Sequence, residues 1–263
     1  MKGEPNPRRP EEETEKRERS WSLDRLPWPE VARILARDPR LILPVGALIQ
    51  HGPHLPLGTN TFIVEEVARA VSKASSVLLA PTFHYGVGGW GKKRFPGSSG
   101  MERKTLHRAM NELLAEWEDH GIREFFILTA HRHELHLDAL LMAMTSSAAT
   151  IVVNLLAIEV DDLVEASPLD EHGGELETSL MLHLAPHLVR LDQVTDAQPG
   201  LGTSRRYAHG GGTTPPLGPD GILGFPSRAS AEKGSALYIR YVKSLTEVLS
   251  GPEAHDPAPE NLP

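Results

Sequence analysis

Three short segments concentrate the side chains that can do chemistry. Pro44 to Asn60 reads PVGALIQHGPHLPLGTN and sets His51 and His54 among glycines and prolines. Thr129 to His136 (TAHRHELH) carries His131, Arg132, His133, Glu134 and His136, and Glu171 to Ser179 (EHGGELETS) carries Glu171, His172 and Glu175. Imidazoles and carboxylates at this density suit either a divalent cation or proton transfer. The zincin pattern H-E-x-x-H is not met, because His136 lies three residues after His133 and Leu137 holds the fourth place. His136 then reads as a helix-surface residue. Arg132 has the planar fork that clamps a carboxylate or phosphate, although it could equally pair with Glu134 or Glu171. The loop Tyr85 to Arg94 (YGVGGWGKKR) is glycine-rich and basic but lacks the Gly-Lys-Ser/Thr ending of a P-loop. Lys92, Lys93 and Arg94 there suit an anionic ligand, a subunit contact or a solvated charged loop.

Elements that could position these groups alternate along the chain. Short apolar runs at Leu41–Val45, Ser76–Ala80, Glu124–Leu128 and Ala149–Leu156 read as strands. Between and around them, helices are expected near Pro29–Ala36, Thr61–Lys73, Thr105–His120, Glu134–Thr145, Glu175–Leu184 and Ala229–Leu249. Such alternation predicts an α/β fold with three layers, α/β/α, around a central, mainly parallel sheet. Ligands of open α/β sheets gather beyond the carboxyl ends of the strands. The segments that begin at Gly46, Pro81 and Thr129 leave such ends, so their histidines can converge. Asn60 is expected to cap the helix that follows it.

Composition narrows the classes. At 263 residues, one domain over 21–250 is expected, large enough to bury ~75% of its unfolded surface. The first 20 residues are highly charged and read as a disordered tail without a secretory apolar stretch, and 251–263 reads as a flexible end. A formal net charge of −8 gives no basic stripe for nucleic acid. No apolar run approaches the ~18 residues of a membrane span. Cysteine is absent, which excludes disulfides and thiolate ligands and is compatible with a cytoplasmic protein.

The first segment resembles the metal signature of the creatininase family, P-V-G-x-x-E-Q-H-G-x-H-L-P-x-x-T-D. Further blocks are similar as well. Phe95-Pro96-Gly97-Ser98-Ser99 resembles F-P-G-T-x-S, His172 to Ser179 resembles H-A-G-E-x-E-T-S, and Ala231-Glu232-Lys233-Gly234 matches A-E-K-G. The resemblance covers most of 41–249 and implies the creatininase-like fold. It departs from the family at Ile49, where a ligating Glu is the rule, and at Asn60, where an Asp bridges two ions.

What the resemblance implies is therefore a divergent centre with at most one divalent ion (Zn, Mn or Fe), held by His51, His131 and Glu175. Glu171 and His172 align with the family's proton-transfer pair, and His133 and Arg132 complete the expected catalytic set. Metal-free roles stay open. His51 could instead hold its loop by hydrogen bonding, and Glu175 could simply favour a helix N-terminus. The aromatic residues that hold creatinine are absent: Pro168 stands at one position and Leu155-Leu156-Ala157 around another. The expected activity is that of an amidohydrolase-like enzyme on a small amide, lactam or related cyclic C–N substrate, anionic in one variant, or a non-hydrolytic step in specialised biosynthesis. The alternatives are a pure acid–base enzyme and a metal-free pseudoenzyme that binds a metabolite or partner protein. Family resemblance also implies a homo-oligomer, a hexamer.

Overall fold

The computed structural model describes residues 21–88, 95–165, 172–197 and 220–250. The two tails, the basic run Lys92 to Arg94, Pro168 and Glu171 lie outside these residues. The elements run α1 (Trp28–Leu35), β1 (Arg40–Val45), α2 (Thr59–Ser75), β2 (Leu78–Leu79), α3 (Arg103–Asp119), β3 (Glu124–Thr129), α4 (Glu134–Leu141), β4 (Ala149–Asn154), α5 (Glu175–Leu184) and α6 (Ala231–Leu249). The four strands form one parallel sheet in the order β2-β1-β3-β4.

Alternation along the strands builds the two cores. Ile42, Phe126 and Leu128 face a layer made with α2, α5 and α6. Leu41, Leu43, Phe125 and Ile127 face the opposite layer, which also holds Ile34 of α1, Leu114 of α3 and Leu140 of α4. Successive strand side chains point to opposite faces, so a run such as LILPV feeds both. Each such buried Leu, Ile or Phe contributes about 1.5–3 kcal/mol. The three-layer α/β arrangement is the expected one.

Some boundaries differ from expectation, and three of the differences have local reasons. β2 pairs over only two residues. It follows the left-handed Ser76 (φ 60°) that ends α2, and its outer edge meets the segment before α1, with Leu79 N–H donating to Trp21 O at 2.9 Å. α4 was expected to reach Thr145 but stops at Leu141. Side chains of α3 take over the next backbone groups: Asn111 Oδ1 accepts from Met144 N, and Glu118 accepts from Ser146, Ser147 and Ala148 N. α2 begins at Thr59 with Gly58 as its cap, one residue before Asn60. Asn60 is therefore inside the helix, not its cap.

Register fixes where the chemistry gathers. Val45 pairs with Thr129 at the ends of β1 and β3. The loop carrying His51 and the segment carrying His131, Arg132 and His133 thus leave the sheet side by side.

Candidate metal centre

Ligand atoms of His51, His172 and Glu177 lie within 4.8 Å of one another, all three residues being buried. Their positions follow from local structure. The His51 Nδ1–H donates to Ile49 O at 3.0 Å, which leaves Nε2 as the lone-pair nitrogen. That Nε2 is buried, makes no hydrogen bond and lies 3.5 Å from Glu177 Oε1. A backbone carbonyl holding one imidazole nitrogen while the other faces a cleft is how metal-binding histidines are oriented.

His172 is set by an antiparallel bridge to Leu223, with backbone hydrogen bonds of 2.7 and 2.9 Å. Its Nε2–H donates to Gln50 O at 2.7 Å, so Nδ1 is the acceptor nitrogen. The Gln50 side chain spans from Gly52 N–H to Gly221 O (2.8 Å each) and fixes the 220–224 segment against the same ring. The His51 and His172 rings stand 4.6 Å apart. Burial, then the neighbouring His51, lowers the His172 pKa to about 3, so the ring is neutral.

Glu177 sits in the first turn of α5. Gly173 N–H donates to its Oε2 at 2.6 Å and Asn60 Nδ2 to its Oε1 at 3.2 Å. Burial alone would raise its pKa. His51, His172 and Arg132 outweigh that and hold it well below the usual carboxylate range. Gly173 has φ +62°, and a Cβ there would lie 2.7 Å from His51 O, so this close approach of two backbones needs glycine.

The expected ligand Glu175 is elsewhere. Its carboxylate meets Lys233 Nζ at 2.5 Å and accepts from Glu165 N–H. Residues two apart on a helix point about 200° apart, so α5 turns Glu175 toward α6 and Glu177 toward the histidines. Both carboxylates stood in the sequence. Choosing between them required the phase of the helix.

His131, the other expected ligand, is 3% exposed, and its Nε2–H donates to Val87 O at 3.2 Å. Its pKa is pushed well below normal by burial, then by His136, His133, His172 and His51, so it shares their compartment while standing outside the three-residue group. His133 stacks on His131 with centroids 5.8 Å apart. Arg132 is partly buried, and its charge acts on Glu177 and His172. Of the expected Glu171–His172 pair, only His172 belongs to the described residues, and it joins the candidate ligands.

His136 is fully buried, not a surface residue. Its Nδ1 accepts from Val87 N–H at 3.2 Å and its Nε2–H donates to Thr129 Oγ1 at 3.0 Å. His54 is buried as well, 2.9 Å from Thr178 Oγ1, and burial followed by His51 lowers its pKa to about 4.

These donors fit a divalent cation. Two imidazoles and one carboxylate form a set suited to Zn²⁺, Fe²⁺ or Mn²⁺. The buried His51 Nε2 makes no hydrogen bond and faces the Glu177 carboxylate at 3.5 Å, an arrangement that an ion held between them would complete.

Among the described residues, no helix is long and apolar enough to cross a membrane. Creatinine amidohydrolase of Pseudomonas putida is 31% identical over 196 residues, covering 66% of this chain and 75% of that protein. The mycofactocin precursor peptide peptidase of Mycobacterium ulcerans is 29% identical over 222 residues (78% and 82%). The 3-dehydro-scyllo-inosose hydrolase of Thermotoga maritima is 26% identical over 235 residues (78% and 76%). Among solved structures, creatinine amidohydrolase (creatininase) superposes with TM-score 0.77 at 25% identity, over 91% of this chain and 100% of that one. A creatininase variant of Zn-Zn type and a creatininase with Mn give 0.76 and 0.75 at 26% and 28% identity, each with the same coverage. The family model for creatinine amidohydrolase matches residues 24–249, and the chain belongs to the creatininase family.

Proposed function

We propose that this chain is a metal-dependent hydrolase that cleaves the C–N bond of a small amide, lactam or short peptide other than creatinine. The observation that carries this reading is the His51 Nε2 lone pair, buried and without a hydrogen bond, aimed at the space it shares with His172 and Glu177. His51, His172 and Glu177 would hold the ion. When bound, a divalent ion there supplies Lewis-acid polarisation of a carbonyl and acidifies water.

The chain's own groups do the rest. Ile49 O and Gln50 O fix the two rings, so no rotamer search precedes binding. Gly173 N–H donates to Glu177 Oε2 and keeps the carboxylate pointed inward. Arg132 adds a positive charge at the end of β3, where it would orient a substrate carboxylate or acyl oxygen. His133, next to it, would pass a proton to a leaving nitrogen.

Substrates other than creatinine are favoured by the residues at two of the expected aromatic positions. Leu155 and Leu156, which stand where creatinine-binding aromatics were expected, are 0% and 2% exposed and packed into the core. The relatives that hydrolyse a precursor peptide and an inosose show that family members act on other compounds.

The test is turnover by zinc- or manganese-loaded protein of a panel of dipeptides, N-acyl amino acids, lactams and creatinine. Amide cleavage that falls at least ~100-fold in Glu177→Ala, with creatinine untouched, is the expected result. Equal activity after chelation, or a preference for creatinine, would overturn the reading. Binding of panel compounds without any turnover would favour the pseudoenzyme.

A further inference from the structure

A charged cleft toward the far end of α2 takes no part in the proposed centre. It measures about 340 Å³, a size typical of small-molecule sites. Glu66, Arg69, Ala70 and Lys73 follow one another at i, i+3, i+4 and i+7, so one stripe of α2 lines its length. Half-buried Trp21, before α1, and Tyr238 of α6 supply aromatic faces. The Trp21 wall is tied to the sheet edge, because Leu79 N–H donates to Trp21 O and Ser22 bridges to Leu79. Packing therefore shapes the cleft before any ligand arrives. Asn60, in the first turn of α2, reaches Glu177. At 1.5 Å per residue, Arg69 and Lys73 stand ~14 and ~20 Å further along that helix.

Arg25, Arg69 and Lys73 line the cleft against a single carboxylate, Glu66, although the chain as a whole carries a formal net charge of −8. Arg69 is pinned along one edge: its Nη2 meets Glu65 Oε1 at 2.7 Å and its Nε lies 3.6 Å from Glu66 Oε1. Its Nη1 has no hydrogen bond or ion pair among the described residues, and the exposed Arg25 guanidinium has none either. A guanidinium fixed on one edge presents its remaining N–H groups in a planar fork suited to carboxylate or phosphate. Glu66 and Lys73 stand about 10 Å apart along α2, so the lining carries a negative group at one end and a positive one at the other. Burial, then Glu66, raises the Tyr238 pKa, which keeps the phenol a hydrogen-bond donor.

From this arrangement we infer that the cleft is a second ligand site, for a flat organic anion about 10 Å long. Its ring lies against Trp21 and Tyr238, Arg69, Lys73 and Arg25 hold its anionic group, and an N–H donor at its other end meets Glu66. A nucleoside monophosphate and an aminobenzoate share that chemistry. The site is independent of any ion held by His51, His172 and Glu177.

The experiment is isothermal titration of the full chain, with a chelator present, using AMP, 4-aminobenzoate, adenosine and inorganic phosphate as probes. AMP or 4-aminobenzoate should saturate at one equivalent and bind at least ~10-fold more tightly than adenosine or phosphate. The tighter of the two identifies the anionic group as phosphate or carboxylate. Arg25→Ala combined with Lys73→Ala should weaken that binding at least ~10-fold, with the circular dichroism spectrum retained. If the double variant does not fold, Arg25→Ala alone carries the comparison. Binding should also quench tryptophan fluorescence in the wild type and not in Trp21→Phe. Glu177→Ala should bind as the wild type does. Failure of both ring probes to saturate, or phosphate binding as tightly as AMP, would overturn the inference. So would wild-type affinity in the arginine and lysine variants. Loss of binding in Glu177→Ala would place the probe at the histidine cluster and overturn it as well, without touching the metal reading.

Discussion

At the scale of single residues, the centre is decided by which side-chain atoms lack a protein partner. His51 Nε2 and Asn60 Oδ1 are two such atoms, and Tyr241 Oη is a third, fully buried on α6. An unpaired buried hydroxyl costs about 1–3 kcal/mol, so Tyr241→Phe should leave the melting temperature unchanged or raise it. A clear fall in thermal melts would show that the hydroxyl has a partner inside the fold. Glu118 is the opposite case. It accepts from Ser146, Ser147 and Ala148 N–H and from Ser147 Oγ, and these bonds, the Ser147 hydroxyl first, lower its pKa from 4.5 to about 2. A carboxylate depressed in the folded state stabilises fully above its unfolded pKa and loses that contribution as pH falls. Glu118→Gln should therefore lower the melting temperature at pH 7, and the gap to wild type should close between pH 4.5 and about 2.

Between elements, the contact of α5 with α6 has the most to lose. Lys233 neutralises a fully buried Glu175, and removing one partner of a buried pair leaves an uncompensated charge. Lys233→Met should cost about 3 kcal/mol in urea unfolding, and adding Glu175→Gln should recover much of it. A double variant no better than the single would mean that the ion pair is not the source of the loss. Gly234 lets the two helices touch: a Cβ there would lie 1.9 Å from Ser179 O. Gly234→Ala is expected to destabilise despite the better helix propensity of alanine, because backbone atoms cannot move aside as a flexible side chain can. The A-E-K-G block thus supports the centre from behind, since α5 carries Glu177 on its opposite face.

Across the whole molecule, buried neutral histidines make the fold sensitive to mild acid. His136 and His54 are lowered to about 3 and 4, burial being the first cause in each. The unfolded chain takes up protons near 6.5 while the folded one does not, so stability should fall as pH drops from about 6.5 toward 3. The Glu118 contribution is lost only from about pH 4.5 down to 2, so the part of a melting series between pH 7 and 5 reports the histidines alone. A flat profile between pH 7 and 5 would contradict the burial of these rings. Metal binding should act in the other direction. Zinc at a hundred times its dissociation constant should add about 2.7 kcal/mol, and chelation should remove it.

Much of the architecture was legible in the chain, because apolar alternation and helical spacing are local properties. The strand cores at Leu41–Val45 and Glu124–Leu128 and the helix at Glu175–Leu184 were recoverable from those patterns alone. His51 could be singled out from its own segment and His172 from its match to the family's H-A-G-E block, as residues able to do chemistry. Which groups meet was decided only by tertiary structure. Glu175 and Glu177 differ by a helical phase that becomes meaningful once α6 is packed on one side and the histidines on the other. Asn60 stops being a cap when α2 begins one residue earlier and its amide reaches Ala130 and Glu177 across the sheet end. His136 becomes buried because the 82–88 backbone folds over it and hydrogen-bonds its ring. Periodicity reports which face of an element is apolar, whereas a site is made of polar exceptions whose partners are supplied by distant segments.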